Sequence, residues 1–170
     1  MELEVLLRAL EATSVATAIR ENDWLFPWIE SFHVLAITLL IGTILIVDLR
    51  LLDLASRERA VGRLTAEVLP LTWAAFAVAA ITGALLFSSN ATGYAHNGYF
   101  QVKFIFLALT GVNAAIFHLF VGRAFERWGA PPQAIPLATR IAGAASLVFW
   151  IGVVACGRWV GFTLLPKLAG

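Results

Sequence analysis

Four uncharged apolar runs, Val34 to Val47, Val68 to Phe87, Phe104 to Gly122 and Ile141 to Gly157, punctuate this chain. Extended by a few tolerant flanking residues, each reaches the roughly 20 helical residues that cross a hydrocarbon core of about 30 Å. Backbone polar groups in lipid must be bonded internally, and runs this long and continuous favour helices over a barrel. With 60% hydrophobic and 14% charged residues over 170 positions, a soluble globular domain is not a sensible alternative. The expectation is an all-α fold, a four-transmembrane-helix antiparallel bundle over residues 24–170, with spans near 28–53, 66–88, 100–125 and 137–162.

Residues 1–23 stand apart from the bundle. They open with Glu2 and Glu4 and scatter Arg8, Glu11 and Arg20, unlike the basic start and compact apolar core of a secretory signal. Leu3, Leu6, Leu7, Leu10, Ser14 and Ala18 fall close to one helical face. That pattern predicts an amphipathic helix before Pro27, lying along the membrane surface or packed on the bundle. Ala75, Ala79 and Gly83 recur every four residues on the second span, as Gly152 and Cys156 do on the fourth, which lets helix backbones approach closely. Gly129, Pro131, Pro132 and Pro136 break the chain between spans three and four.

Basic residues set an expected orientation. The first connection carries Arg50, Arg57, Arg59 and Arg63 and the third carries Arg123, Arg127 and Arg140, while residues 88–101 carry none. Positive-inside bias then places the first and third connections in the cytoplasm and both termini in the periplasm of a bacterial inner-membrane protein. Trp24, Trp28 and Trp159 would mark the outer interface and Trp128 the inner one.

Function is sought at the ionisable side chains inside the spans, because they are costly in hydrocarbon unless paired, ligated or facing a cavity. His33 and His118 lie on parallel spans, yet at 1.5 Å of rise per residue they sit about 19 Å apart in depth, too far to grip one haem iron from opposite faces. Two polar layers emerge instead. Glu30 and His33 share a helical face on the outer side, with Lys103 and Arg158 at similar depth and His96 on the outer loop. On the inner side Asp48 lies at nearly the depth of His118, placed to hold one imidazole nitrogen and fix its tautomer, with Arg50 beside it and Asn113 nearer mid-bundle. Both layers also admit a structural reading: an interfacial ion pair outside, a helix-end cap and anchor inside.

The string His33-Val-Leu-Ala, followed by Gly42, Asp48-Leu-Arg-Leu-Leu52, Lys103, Asn113, His118 and Gly157-Arg158, resembles a bacterial four-helix integral membrane family of unknown function over residues 24–163. The resemblance implies that His33, Asp48, Arg50, Lys103, Asn113, His118 and Arg158 match a family pattern, and it brings no activity with it. The chain is also loosely similar to small b-type cytochrome subunits and copper-handling membrane proteins, although its histidine spacing departs from a paired-ligand cytochrome.

Three function classes follow. The favoured expectation is electron transfer through haem b, with quinone nearby and His33 and His118 as separate axial ligands. His96 would complete the outer site, and Asn113, Arg158 and Lys103 would surround the cofactors. A transition-metal handling protein is the second, with Glu30, His33 and His96 gathering copper(II) or zinc outside and His118 as an inner ligand. The third is a non-catalytic subunit whose polar layers lock the bundle and dock a homo-oligomeric or redox partner in the bilayer. Cys156 is the only cysteine, which excludes an intrachain disulfide and a cysteine-based cluster. Nucleophilic catalysis lacks a carboxylate placed to orient a base, and nucleic-acid binding lacks a basic, aromatic-interleaved surface.

Overall fold

The computed structural model describes residues 2–56, 58–59, 61–117, 119 and 135–168, and no strand occurs among them. Seven helices carry the fold among these residues: α1 Glu2–Glu11, α2 Ser14–Glu21, α3 Leu25–Leu51, α4 Val61–Ser89, α5 Ala91–Ala95, α6 Gly98–Ile116 and α7 Leu137–Leu168. Four of these, α3, α4, α6 and α7, are long and apolar enough to cross a membrane. Arg57, Arg123, Arg127, Trp128 and His118 lie outside the described residues.

Short polar residues set the helix starts. Asn22 Oδ1 accepts from the Trp24 and Leu25 amides ahead of α3, Asn90 from Gly93 ahead of α5, and Asn97 from Phe100 ahead of α6. The amino-terminal amphipathic segment is two helices rather than one. Thr13 divides it, its hydroxyl bonding the Leu10 carbonyl and receiving the Ala16 amide that opens α2. Leu7, Ala16 and Ile19 are buried as this pair folds over the α5 end of the bundle, while Leu3, Val5 and Leu6 stay exposed. Two backbone bonds, Asp53 N–H to Arg50 and Leu54 N–H to Leu49, close the other end of α3 in a Schellman turn with Asp53 at φ 60°.

The spans associate as two hairpins. α3 packs along α4 and α6 along α7, and α3 joins the hairpins by crossing α7. α4 and α6 meet where Phe87 stacks on Phe100 at 5.4 Å beside α5, and beyond that end they scarcely touch, so the ring of four stands open on one side. Small residues let the contacts close: Ala75 and Ala79 on α4 are buried against α3, and they continue into Gly83. Leu40, Ala75, Trp150 and Val153 form the core, with Ile41, Ile44, Phe106 and Leu107 packed on it. Outward faces are apolar throughout, Ile151 being 68% and Ile81 62% exposed, a surface suited to lipid rather than water. α6 buries none of its residues.

Candidate functional site: an intramembrane chamber

The gap between α4 and α6 continues into a cavity of about 770 Å³. Its floor is α3 and α7, through Leu40, Ile44, Asp48, Ser146 and Trp150, and its flanks are Thr65, Trp73 and Phe76 of α4 and Phe104, Gly111 and Asn113 of α6. Asp48 is the one ionisable side chain among the described lining residues.

Local packing explains how that carboxylate is held. A Cβ on Gly143 of α7 would meet Leu51 Cβ at 3.1 Å and the Asp48 carbonyl at 3.3 Å, so glycine lets α7 cross tightly over the end of α3. One turn further along α7, Ser146 stands beside Asp48 on the chamber wall. Asp48 is only 4% exposed, and its Oδ2 has no hydrogen-bond partner; Thr65 Oγ1, on the opposite flank, is also buried and unpartnered. Unpaired buried oxygens of this kind each cost roughly 1–3 kcal/mol. Asn113 lines the same space and ties the α6–α7 hairpin together, Nδ2 donating to the Ala142 carbonyl at 3.0 Å. Pro70 in α4 leaves one backbone carbonyl of the preceding turn without its helical donor near the same flank.

Arg50, two residues beyond Asp48, turns the other way. It is buried, with Nε donating to the Arg59 carbonyl at 2.9 Å and Nη1 meeting Asp53 Oδ1 at 3.3 Å, and so it anchors the connection after α3. His118, expected to pair with Asp48, lies outside the described residues.

Towards the α5 end a second polar group spans the two hairpins. His33 Nδ1 lies 2.9 Å from Thr82 Oγ1, and the Thr82 hydroxyl itself donates to the Val78 carbonyl at 2.6 Å. The threonine oxygen therefore accepts, which assigns the Nδ1–H tautomer to His33. The ring lies on Gly83, where a Cβ would stand 2.9 Å from Cε1. Across the bundle Lys103 runs past Gly157, close enough to His33 and Cys156 to interact electrostatically.

The other residues of the expected outer layer do not converge there. Arg158 is exposed and stacks over Phe162 at 4.4 Å. Glu30 is exposed, and its charge is felt at Tyr94, whose hydroxyl is pushed above its ordinary value by burial and then by that carboxylate. His96 bonds the Thr92 carbonyl through Nδ1 and faces Glu4 Oε1 at 3.6 Å through Nε2, which joins α5 to α1. Beside it the Glu11 carboxylate accepts the Thr92 amide and hydroxyl, both at 2.7 Å. Burial alone would raise the Glu11 pKa, but these bonds with Arg20 and Arg8 outweigh it and hold the group below its ordinary value. No group of three or more His, Cys, Asp or Glu side chains placed for a metal ion occurs among the described residues.

Thr82, Gly143, Ser146 and the chamber's Trp73 and Trp150 were not singled out by sequence. Hydroxyls in these spans mostly bond their own helix, as Thr38, Thr43, Thr72 and Thr110 do, so nothing in the pattern marks those, such as Thr82, that also meet a neighbour.

A family of unknown function (DUF6644) matches residues 25–163, the four spans and their connections, and the chain belongs to that family. Among curated proteins and among solved structures, nothing matches the chain.

Proposed function

We propose that this DUF6644 member is an inner-membrane protein that takes a small lipophilic molecule from the bilayer into the chamber between its two hairpins. One observation carries the reading: a cavity of about 770 Å³ walled by all four spans, mainly apolar, with Asp48, Asn113 and Ser146 on the wall. Ligand sites have this make-up, roughly 300–1,000 Å³ of apolar wall with a few polar groups that fix orientation. The separation of α4 from α6 gives such a molecule a path from lipid without passing through water. With the arginine-rich connection after α3 read as cytoplasmic by positive-inside bias, the amino-terminal helices and α5 would lie on the periplasmic side and Asp48 in the cytoplasmic half of the membrane.

Haem-linked electron transfer finds less support in this geometry. An axial imidazole in the chamber would have to come from His118, which lies outside the described residues, since no described lining residue is a histidine. His33 is instead packed on Gly83 and bonded to Thr82.

The test uses full-length protein in phosphatidylcholine nanodiscs, with menadione, a neutral quinone, as the probe. Trp73 and Trp150 line the chamber, so menadione is expected to quench tryptophan fluorescence saturably. Gly111 has open space where a Cβ would be, so Gly111→Leu fills the chamber without a backbone clash and should remove the saturable component. Equal, linear quenching of both proteins would overturn the reading. A Soret band that shifts on reduction would replace it with a haem-linked one.

A further inference from the structure

The chamber joins a carboxylate to a wall of aromatic rings. We propose that its ligand is a lipophilic organic cation, whose charge is met by Asp48 and whose body packs against Trp73, Phe76, Phe104 and Trp150. The inference rests on the chamber being a ligand site and names the class of molecule it takes.

Among the described residues Asp48 has no cationic partner. No ion pair among the described residues includes it, and Arg50, the nearest cation along the chain, is committed to the Arg59 carbonyl and Asp53. Ser146 stands beside Asp48 on the wall, and the Asp48 Oδ2 is buried without a hydrogen-bond partner. A carboxyl at this depth is held ionised only where something positive meets it and otherwise takes up a proton, so an arriving cation would displace that proton. Rotation about the last side-chain torsion of an aspartate is soft, so an oxygen can turn to an arriving charge without moving the helix.

The rest of the wall narrows the class. Aromatic faces attract cations, most strongly where water is excluded, and five aromatic residues, Trp73, Phe76, Phe104, Phe117 and Trp150, line this cavity. A bare metal ion would need several oxygen or nitrogen donors in one shell, and a single carboxylate with scattered hydroxyls does not provide them. An anionic lipophile would meet Asp48 with like charge. A molecule that is apolar over most of its surface and positive at one point satisfies the wall and the carboxylate together.

The experiment measures equilibrium binding of radiolabelled tetraphenylphosphonium to the full chain in phosphatidylcholine nanodiscs, beside menadione quenching of the same preparation. Saturable binding of the cation, in competition with menadione, is expected. Asp48→Asn should weaken the cation about tenfold or more while changing menadione affinity little, since only the charged ligand loses its partner. Asp48→Glu should restore much of the loss. Trp73→Ala removes an aromatic side chain that is already 61% exposed, and so serves if the Asp48 variants do not fold; it should weaken the cation several-fold. Equal affinity of the wild-type protein for both probes, or cation binding unchanged by Asp48→Asn or by Trp73→Ala, would overturn the proposal. Menadione that saturates without competition from the cation overturns this inference alone, whereas menadione that never saturates overturns the chamber reading beneath it.

Discussion

Gly83 and His33 show how much of this bundle rests on single side chains fitted to single gaps. The imidazole occupies the space a Cβ would claim, 2.9 Å from its Cε1, and from there reaches Thr82 across the α3–α4 contact. An aromatic-sized ring pinned by a hydrogen bond is not free to step aside. Gly83→Ala should therefore displace it and destabilise the protein by about 1–3 kcal/mol, as overpacking of a fitted contact does. Alanine is otherwise the better helix former by about 1 kcal/mol, so with His33→Ala already in place the same substitution should be neutral or stabilising. Unfolding equilibria in mixed micelles for the four members of this double-mutant cycle check the sign reversal; an equal penalty in both backgrounds would show that the ring is not what Gly83 accommodates. His33 could be singled out in the sequence as an ionisable group at membrane depth. Its partner could not, because Thr82 is one of several hydroxyls whose ordinary role is to bond the carbonyl a turn earlier.

At the scale of elements, the amino-terminal pair is held by contacts that titrate. α1 and α2 fold over the α5 end through Glu11 on Thr92, Arg20 on the Ser89 carbonyl at 3.1 Å, and Glu4 facing His96. The Glu11 pKa is held below its ordinary value of 4.5, so ionised Glu11 favours the closed cap. Its contribution is full above that ordinary value, declines as pH falls below it because the opened cap takes up the proton first, and is gone once pH has passed the depressed value of the closed state. Amide protection of α1 and of Thr92, corrected for intrinsic exchange, is expected to fall as pH drops through the acid range. Because Glu4 and His96 face each other in the same contact, the Glu11 share is the difference between wild type and Glu11→Gln. Identical acid profiles for the two proteins would remove Glu11 from this role. The amphipathic face of residues 1–23 was legible in their apolar spacing, but the break at Thr13 was not, since one threonine between two helical patterns reads equally well as a helix interior.

The whole molecule separates what hydropathy can show from what packing decides. Each span is legible because crossing a bilayer demands about 20 apolar residues in a row, and Asp48 stands out in such a run for the same reason. The chamber is not legible, because it arises where a contact is missing: α3 holds α4 on one side and α7 on another, α7 holds α6, and below the Phe87–Phe100 stack α4 and α6 are left apart. Apolar positions facing lipid and apolar positions facing a cavity look alike in sequence. Trp73 reads as an interfacial or lipid-facing ring, yet it lines the chamber while remaining largely exposed on its outer side. The open side also fixes how a ligand must arrive, which can be tested by closing it. Leu69 on α4 and Ala115 on α6 both line the cavity, and with Cys156→Ser as background they can be replaced by cysteines and bridged with a flexible bismaleimide. Bridging α4 to α6 is expected to slow the approach to saturable menadione quenching by about tenfold or more, with either single cysteine treated in the same way as the control. Uptake at an unchanged rate in the bridged protein would mean that the ligand reaches Asp48 from an end of the bundle, and the gap between α4 and α6 would then be a lipid-filled groove rather than a doorway.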